Sequence, residues 1–489
     1  MKRKWLIGIL TLIVCICGIS GLTACNDGNE PDNGSYTVDN LKFTLSDDKK
    51  SYSVTGFKDE PTYVNIPPKY LGKPVTSIDE GAFYKCYSLT SVTIPDSVTS
   101  IGFVAFGECT SLTSVTIPNS VTEIGSAAFS RCTSLESIII PNSVTKIGAA
   151  AFAYCSSFKS ITVASGNKNY HIAGNCLIET ESKTLIAGYK NSIIPANGSV
   201  TSIGRSAFEG CTSLTSIIIP DSVAAIGEGA FSSCTSLTSV TIPNSVTSIY
   251  WGAFSECSSL TSVKIPDNIT YICEFAFAYC TSLESIIIPN SVTYIGQSAF
   301  RDCSSLTSIT IPDSVTSIGN SAFSGCSSFT SITIPDSVTS IDNRAFYGCH
   351  IENATAPAIA ISGLPKSNLK SIVITSGNSI GTYAFRGCTS LESIIIPNSV
   401  TKIGAAAFYG CSSLTSITIP DSVTSIGCDA FSGCTSLASV IFENTTGWWY
   451  SSSSTATEGT SISSTGLADP ATAATYLTDT YCDYYWERG

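Results

Sequence analysis

The sequence predicts an α/β repeat solenoid: a superhelix of 23-residue coils with parallel strands on its concave face, and short strands and helical turns elsewhere. Two observations carry this reading. Phe83, Phe106, Phe129 and Phe152 recur every 23 residues, as do Phe208, Phe231, Phe254, Phe277, Phe300, Phe323 and Phe346, and later Phe385, Phe408 and Phe431. A cysteine stands three residues after each of them, from Cys86 to Cys434. Such a period marks units that cannot bury an apolar face alone and must stack. The 489-residue length, ordinarily a sign of several globular domains, therefore counts coils instead of cores.

One unit, SLTSVTIPNSVTEIGSAAFSRC at Ser111 to Cys132, shows how each coil is built. Leu112, Val115 and Ile117 form an L-x-x-L-x-L opening, a strand whose inward residues alternate with outward ones. Pro118 and Asn119 stop the strand, because proline lacks a donor N–H and presets φ for a turn. Val121 and Ile124 return inward on a second short extended segment. Ala127, Ala128 and Phe129 are expected to close the coil with a helical turn, small alanines permitting tight contact with the next coil. Equivalent residues then lie about 4.8 Å apart, so fourteen coils make a rod of about 70 Å with the phenylalanines as its spine.

The period, the L-x-x-L-x-L strand and the phrase IPDSVTSIG..AF..C.SL together resemble the BspA-like leucine-rich-repeat proteins, over roughly residues 36–442. That resemblance implies a leucine-rich-repeat superhelix and a bacterial or protist surface protein. It also implies an adhesin-like role toward matrix proteins such as fibronectin or fibrinogen. It supplies no catalytic residues.

The N-terminus begins with Lys2, Arg3 and Lys4, followed by an apolar run from Trp5 to Ile19 and then Leu22-Thr23-Ala24-Cys25. The run has signal-peptide length and ends in small residues. LTAC resembles the lipobox of bacterial lipoproteins, which implies cleavage before Cys25 and acylation of its thiol; an ordinary signal peptide or an uncut anchor is the competing reading. The division expected is a signal peptide at 1–24, a tether at 25–35, an N-terminal cap at 36–75, the solenoid at 76–442 and a C-terminal cap at 443–489. The expected location is the cell surface, lipid-anchored to a bacterial membrane, the outer one for preference, and facing outward.

Composition narrows the partners. The formal charge is −12, and losing the three N-terminal cations takes it to −15. An acidic body with scattered lysines lacks the clustered basic face that nucleic acid requires. Anionic lipid headgroups would repel it, so contact with the membrane is expected only through the lipid anchor. Hydrophobic residues make up 43% of the chain and charged ones 13%, which leaves a Ser/Thr-rich exterior on a well-filled core.

Two interruptions break the period. Between Phe152 and Phe208 lies an insertion near 164–197, where NCLIETESKTLIAGY (Asn175 to Tyr189) reads as a β-hairpin projecting from or capping the coil edge. Between Phe346 and Phe385 lies a second near 350–368, HIENATAPAIAISGLPKSN, read as a surface loop or a binding loop. The ends need caps because an open solenoid exposes an unpaired edge. FTLSDDKKSYSV (Phe43 to Val54) reads as a hairpin turning at Asp47 to Lys50. Toward the other end, Trp448, Trp449 and Tyr450 form an aromatic cluster, and Asp469-Pro470 offers an N-cap and first position for a helix at ATAATYL. Covering the edge is the favoured use of the aromatics; stacking on sugar rings is the alternative.

Catalytic chemistry finds little support. One cysteine per coil lacks the paired spacing of zinc sites. Stacked cysteine side chains run in parallel rather than toward each other, so buried, reduced thiols are expected. Cys176, Cys273, Cys428 and Cys482 stand off the column. The two histidines, His171 and His350, lie in irregular segments, and no hydrolase elbow, zincin, P-loop or EF-hand pattern occurs. Asp and Asn interchange in the IP[DN]S turn, which points to hydrogen bonding within the turn rather than to acid catalysis or calcium. No cofactor, metal or enzyme activity is expected.

The outward strand position is more informative. It is held by Thr93, Thr116, Ile139, Thr162, Ile218, Thr241, Lys264, Ile287, Thr310, Thr333, Val373, Ile395, Thr418 and Ile441. Apolar points on a long, weakly charged Ser/Thr sheet suit recognition of an extracellular protein. β-branched residues also simply favour strands. A glycan-binding module using Trp448, Trp449 and Tyr450, binding polysaccharide, and a structural spacer or self-association element are the alternatives.

Overall fold

Three hydrogen-bonded ladders run along the chain, one for each side of the coil. The computed structural model describes residues 35–36 and 40–489; the expected signal segment, Cys25 and nearly all of the tether lie outside the described residues. The architecture is a parallel-strand solenoid of about 17 turns. The first ladder stacks strands of three or four residues, such as Ser91–Thr93, Ser114–Thr116, Ser137–Ile140 and Ser160–Val163, with every leading serine in register. Leu112, Val115 and Ile117 are buried and Thr116 is exposed, as the alternation requires.

The proline turn then redirects the chain. Val121 N–H closes it on Pro118 O at 3.1 Å, and the Ser120 hydroxyl donates to Val98 O of the preceding coil. The bond within this turn is thus a main-chain bond rather than the Asn side-chain bond expected, and the serine beside it adds a tie to the preceding coil. A second ladder of two-residue strands follows, Ser100–Ile101, Glu123–Ile124 and Lys146–Ile147 in parallel register.

The third side corrects the expected helical turn. Ala127, Phe129 and Arg131 donate their N–H groups to Ala149, Ala151 and Ala153 of the next coil at 2.8–2.9 Å. The alternate residues Ala128, Ser130 and Cys132 bond back three positions instead. A helix directs every N–H along its own axis, so it could not stitch one coil to the next. Alternation demands left-handed residues, and Ala127 and Arg131 stand at φ 53° and 61°. Val104 takes φ 49° in the column that Gly81, Gly229 and Gly252 also occupy. A β-branched residue there stores about 1–3 kcal/mol, against about 0.5–1 kcal/mol of glycine entropy. Val104→Gly is therefore expected to raise the urea midpoint by the equivalent of about 1 kcal/mol.

Inside, the Phe rings stack nearly parallel, for example Phe231 on Phe254 at 5.2 Å and Phe254 on Phe277 at 5.5 Å. Most column thiols are buried and donate to the Phe carbonyl one coil back: Cys132 to Phe106 O at 3.1 Å, Cys257 to Phe231 O at 3.2 Å, Cys280 to Phe254 O at 3.2 Å, whereas Cys86 donates to Pro61 O and the half-buried Cys211 to Gly188 O.

The first interruption does not project; it covers the end of the N-terminal core and at the same time begins the next one. Tyr170–Ala173, Cys176–Glu179 and Thr184–Ala187 form an antiparallel meander whose last strand joins the second ladder at Ser202–Ile203. It is a wall between two cores: Leu177 and Ala187 face the N-terminal one, while Cys176, Ile178 and Leu185 face the C-terminal one. Tyr170 reaches back, its hydroxyl accepting the Ile147 N–H that would otherwise end the second ladder unpaired. Gly188 is obligatory here, because a methyl group would collide with the Phe208 ring.

The second interruption is a coil in its own right rather than a loop. Asn353–Ala356 pairs in parallel with Ser331–Thr333 on one side and Ser371–Ile374 on the other. After it the 3₁₀ turn Ala358–Gly363 stands in for the second strand, and the segment carrying the Phe-x-x-Cys pattern is missing.

Both ends are closed. The hairpin Leu41–Leu45/Tyr52–Phe57 extends the second ladder through Lys73–Ile78, and Phe57 stacks on Phe83 at 6.0 Å. At the far end Tyr485–Arg488 runs antiparallel to Ser425–Ile426 and to Trp448–Ser451. Asp429 N–H meets Cys482 O at 2.7 Å, which closes the third ladder. Two short helices, Ser464–Ala468 and Pro470–Thr475, cover the last long strand, Ser439–Phe442. Asp469 caps the second, accepting from Thr472 N at 2.8 Å.

Candidate functional site

The first ladder aligns two outward columns whose side chains are used differently. In the column before each strand, threonines bond along the rod: Thr238 Oγ1 donates to Thr215 O at 3.0 Å, and Thr113 and Thr261 do the same one coil back at 3.4 Å. Those hydroxyls are spent on holding coils together. The column at mid-strand is not. Thr116, Thr162, Thr241, Thr310, Thr333 and Thr418 are all exposed, and their hydroxyls make no hydrogen bond among the described residues. Between them Ile139, Ile218, Ile287 and Ile395 are 61%, 73%, 70% and 61% exposed. Strand pairing fixes these side chains on rigid backbone, so little ordering cost remains for binding.

Charge on this face is sparse and mostly neutralised. Lys264 lies 3.6 Å from Asp267, and Lys159 bridges Glu136 at 2.6 Å beside the strands. Exposed pairs of this kind contribute about 0–1 kcal/mol to stability, but they leave the surface without a dominant field.

The face is not one unbroken sheet. The meander ends the first run after Ser160–Val163, and Ser308 to Thr310 keep the burial alternation without strand pairing. Where the first run meets the meander, a depression of about 500 Å³ brings Thr162, His171 and Tyr189 together. His171 Nδ1 lies 3.0 Å from Thr180 Oγ1.

The aromatic cluster is spent differently from the sugar-stacking alternative. Trp448 is buried, its indole N–H donating to Asn444 O at 3.0 Å and its ring edge-on to Phe442 and Trp486. No face of it is left for a pyranose. Trp449 is half-buried, and Tyr450, also half-buried, stacks on Tyr481 at 4.4 Å.

The thiols are chemically quiet. Burial pushes Cys211 and Cys257 up to about 12 and Cys176 up to about 11. A thiol held protonated is neither nucleophile nor metal ligand at neutral pH. Among the described residues, no three His, Cys, Asp or Glu side chains are grouped to hold a metal ion. No helix among them is long and apolar enough to cross a membrane.

Sequence reasoning missed one feature. Arg301, Arg344 and Lys366 line two adjoining depressions of about 510 and 570 Å³ that open on the third side around the short coil. The available signal was the lost Phe-x-x-Cys segment between Phe346 and Phe385, together with arginines where other coils carry Ser, Ala or Gly.

Repeating coils, three ladders and a rigid outward column define a leucine-rich-repeat scaffold. The chain belongs to the BspA type leucine rich repeat family, whose model matches residues 76–198, 187–307, 293–365 and 359–472. Among solved structures it is similar to a leucine-rich repeat protein from Bacteroides ovatus, with 29% identity over 83% of this chain and 94% of that one and a TM-score of 0.47. It is also similar to a leucine rich cell surface protein from Faecalibacterium prausnitzii, with 27% identity, coverage of 84% and 94%, and a TM-score of 0.42. The pneumococcal vaccine antigen PcpA matches at 18% identity over 76% and 92%, with a TM-score of 0.39. No curated protein matches.

Proposed function

We propose that this chain is a cell-surface lipoprotein that binds a host or neighbouring-cell protein over its first-ladder face and catalyses no reaction. The observation that carries the reading is the row of exposed isoleucines, Ile139, Ile218, Ile287 and Ile395, held on paired strands among unbonded threonines. Burying such points on a partner stabilises a complex by about 25 cal/mol per Å² of apolar surface. Rigid placement keeps the entropic cost of that burial low. Matrix proteins such as fibronectin and fibrinogen are the first partners to test, as the family resemblance suggests.

The test is retention of the purified chain on immobilised fibronectin or fibrinogen at physiological salt. Ile139→Asp combined with Ile218→Asp is expected to weaken retention at least tenfold while leaving the thermal midpoint within a degree or two, since both sites are on the surface. Retention unchanged by the pair would remove the strand face from the reading. Membrane attachment is tested separately. Cys25→Ser is expected to move the protein from the membrane fraction to the soluble one, because without acyl chains an acidic body has no affinity for anionic lipid. Membrane association that persists in this variant would overturn the anchor.

A further inference from the structure

The third ladder is interrupted most fully at the short coil. In the neighbouring coils the residue two after the Phe gives its N–H to the next coil: Asp302 to Ser324 O, Gly325 to Tyr347 O, Gly387 to Tyr409 O, Gly410 to Ser432 O, all at 2.7–2.8 Å. Phe300, Phe323, Phe385 and Phe408 do the same toward Ala322, Ala345, Ala407 and Ala430. Phe346 and Gly348 both lose that bond: the short coil between them and Phe385 supplies no acceptor rung, and neither N–H is bonded among the described residues, a double loss otherwise met only at the last coil, in Phe431 and Gly433. Arg344 N–H, the remaining donor of that row, turns to Asp342 Oδ1 at 3.0 Å. Where the meander intervenes, Phe152 N–H is likewise unbonded among the described residues, but Tyr154 N–H still reaches Glu209 O at 2.7 Å, so that interruption keeps the rung that the short coil loses.

What lies beside those donors is an open depression of about 570 Å³ between residues 343–350 and 362–368, continuous at Tyr347 and Gly348 with the one of about 510 Å³. Its chemistry differs from the rest of the molecule. Arg301, Arg344 and Lys366 line the two depressions in a chain whose formal charge is −12. Asp302 is the acid on its rim, and Arg301 Nε holds that carboxylate at 3.1 Å. Lys366 Nζ reaches across to Tyr383 O at 3.3 Å, and Arg386 lies over the Tyr383 and Tyr409 rings. Tyr347 stands 72% exposed at the mouth. Glycine at 348, 387 and 410 leaves the main chain bare of side chains along this strip, so another backbone can approach it.

We propose that this cleft docks an extended, acidic peptide segment of a partner protein. The peptide lies in the place of the absent rung, its carbonyls accepting from Phe346 and Gly348, as in strand addition to an open edge. Its carboxylates face Arg344 and Lys366, with the arginine gripping one of them through two parallel hydrogen bonds. Main-chain donors spaced for a polypeptide favour a peptide over an acidic polysaccharide, which could use the cations but has no carbonyls at that repeat. The proposal concerns the third side of the solenoid and stands independently of the first-ladder reading.

Fluorescence anisotropy of a labelled heptapeptide of alternating Glu and Ala, titrated with the full chain at low salt, tests it. Saturable binding is expected, weakened tenfold or more by Arg344→Glu with Lys366→Glu. Lys146→Glu with Lys402→Glu, of the same charge change on the second ladder, should leave it within about twofold. An oligogalacturonate of equal charge, used as a competitor, should displace the peptide at least tenfold less well than unlabelled peptide does. Absence of binding, equal weakening by both pairs, or equal displacement by the oligogalacturonate would each overturn the proposal, the last by making the cleft a general polyanion site.

Discussion

Above about pH 9 the solenoid is expected to unfold over a narrow range of pH. Cys211 and Cys257 are raised by burial to about 12, and Cys132, Cys234, Cys280 and Cys303 are pushed well above the ordinary thiol value by the same cause. In the unfolded chain a thiol ionises near pH 8.5. The folded state therefore keeps protons that the unfolded state releases. The stability these thiols confer is complete below about pH 8.5 and is lost as pH climbs through the window up to their folded values. Each contributes a slope of about 1.4 kcal/mol per pH unit, so six together give roughly 8 kcal/mol per unit. Set against a typical total of about 5–15 kcal/mol, one to two units suffice. Far-ultraviolet circular dichroism followed from pH 7 to 12 checks this. Cys257→Ala with Cys280→Ala should lower stability at pH 7, through lost packing and two lost thiol bonds, while making the alkaline transition less steep. A far-ultraviolet spectrum unchanged at pH 11.5 would mean that the thiols are not buried as described.

The strand-forming half of each coil was legible because its chemistry is binary. Leu112, Val115, Ile117, Val121 and Ile124 alternate or pause where the chain turns, and all are buried. The third side was not, because Ala-Ala-Phe reads as helix by propensity while its geometry is set by the neighbouring coil. A hint was present: Gly325, Gly348 and Gly410 stand where Arg131 stands, and a column that admits glycine so readily is one that needs positive φ. The meander was legible as strands, since Asn175 to Tyr189 carries two apolar runs, but not as a wall. Adjacent Leu177 and Ile178, both apolar and both fully buried, are the mark of a strand covered on both faces. The short coil hid for a different reason. Its inward residues are Ala354 and Ala356, too small to advertise a core strand, so only the register reveals that it belongs to the ladder. The outward column of the candidate site was readable residue by residue, whereas the basic cleft depends on what the short coil omits.

Removing one ring from the middle of the spine should divide the molecule's unfolding in two. Phe254 is fully buried between Phe231 and Phe277, stacked within 2–3° of parallel at 5.2 and 5.5 Å. Phe254→Ala gives up about 3–5 kcal/mol of burial and cavity energy, and about 0.5–1.5 kcal/mol for each lost ring pair. The Phe254 N–H bond to Ala276 O and the Cys280 thiol bond to Phe254 O involve main-chain atoms, so they survive the change. What weakens is the interface between two neighbours. In a solenoid, stability is a sum of such interfaces, so a weak one decouples the stretches on either side. The wild-type chain already has a wall at residues 170–187, and a second weak point near 254 isolates the few coils between them. Urea titration should then show an early transition from those coils, and limited proteolysis should cut within them before elsewhere. Phe254→Leu, which keeps most of the volume, should move the early transition less than half as far. Tyr409→Ala, on the same side but at an exposed position, should stay within about 0.5 kcal/mol of wild type. A Phe254→Ala loss below about 1 kcal/mol would show that the phenylalanine column fills space without holding the coils together.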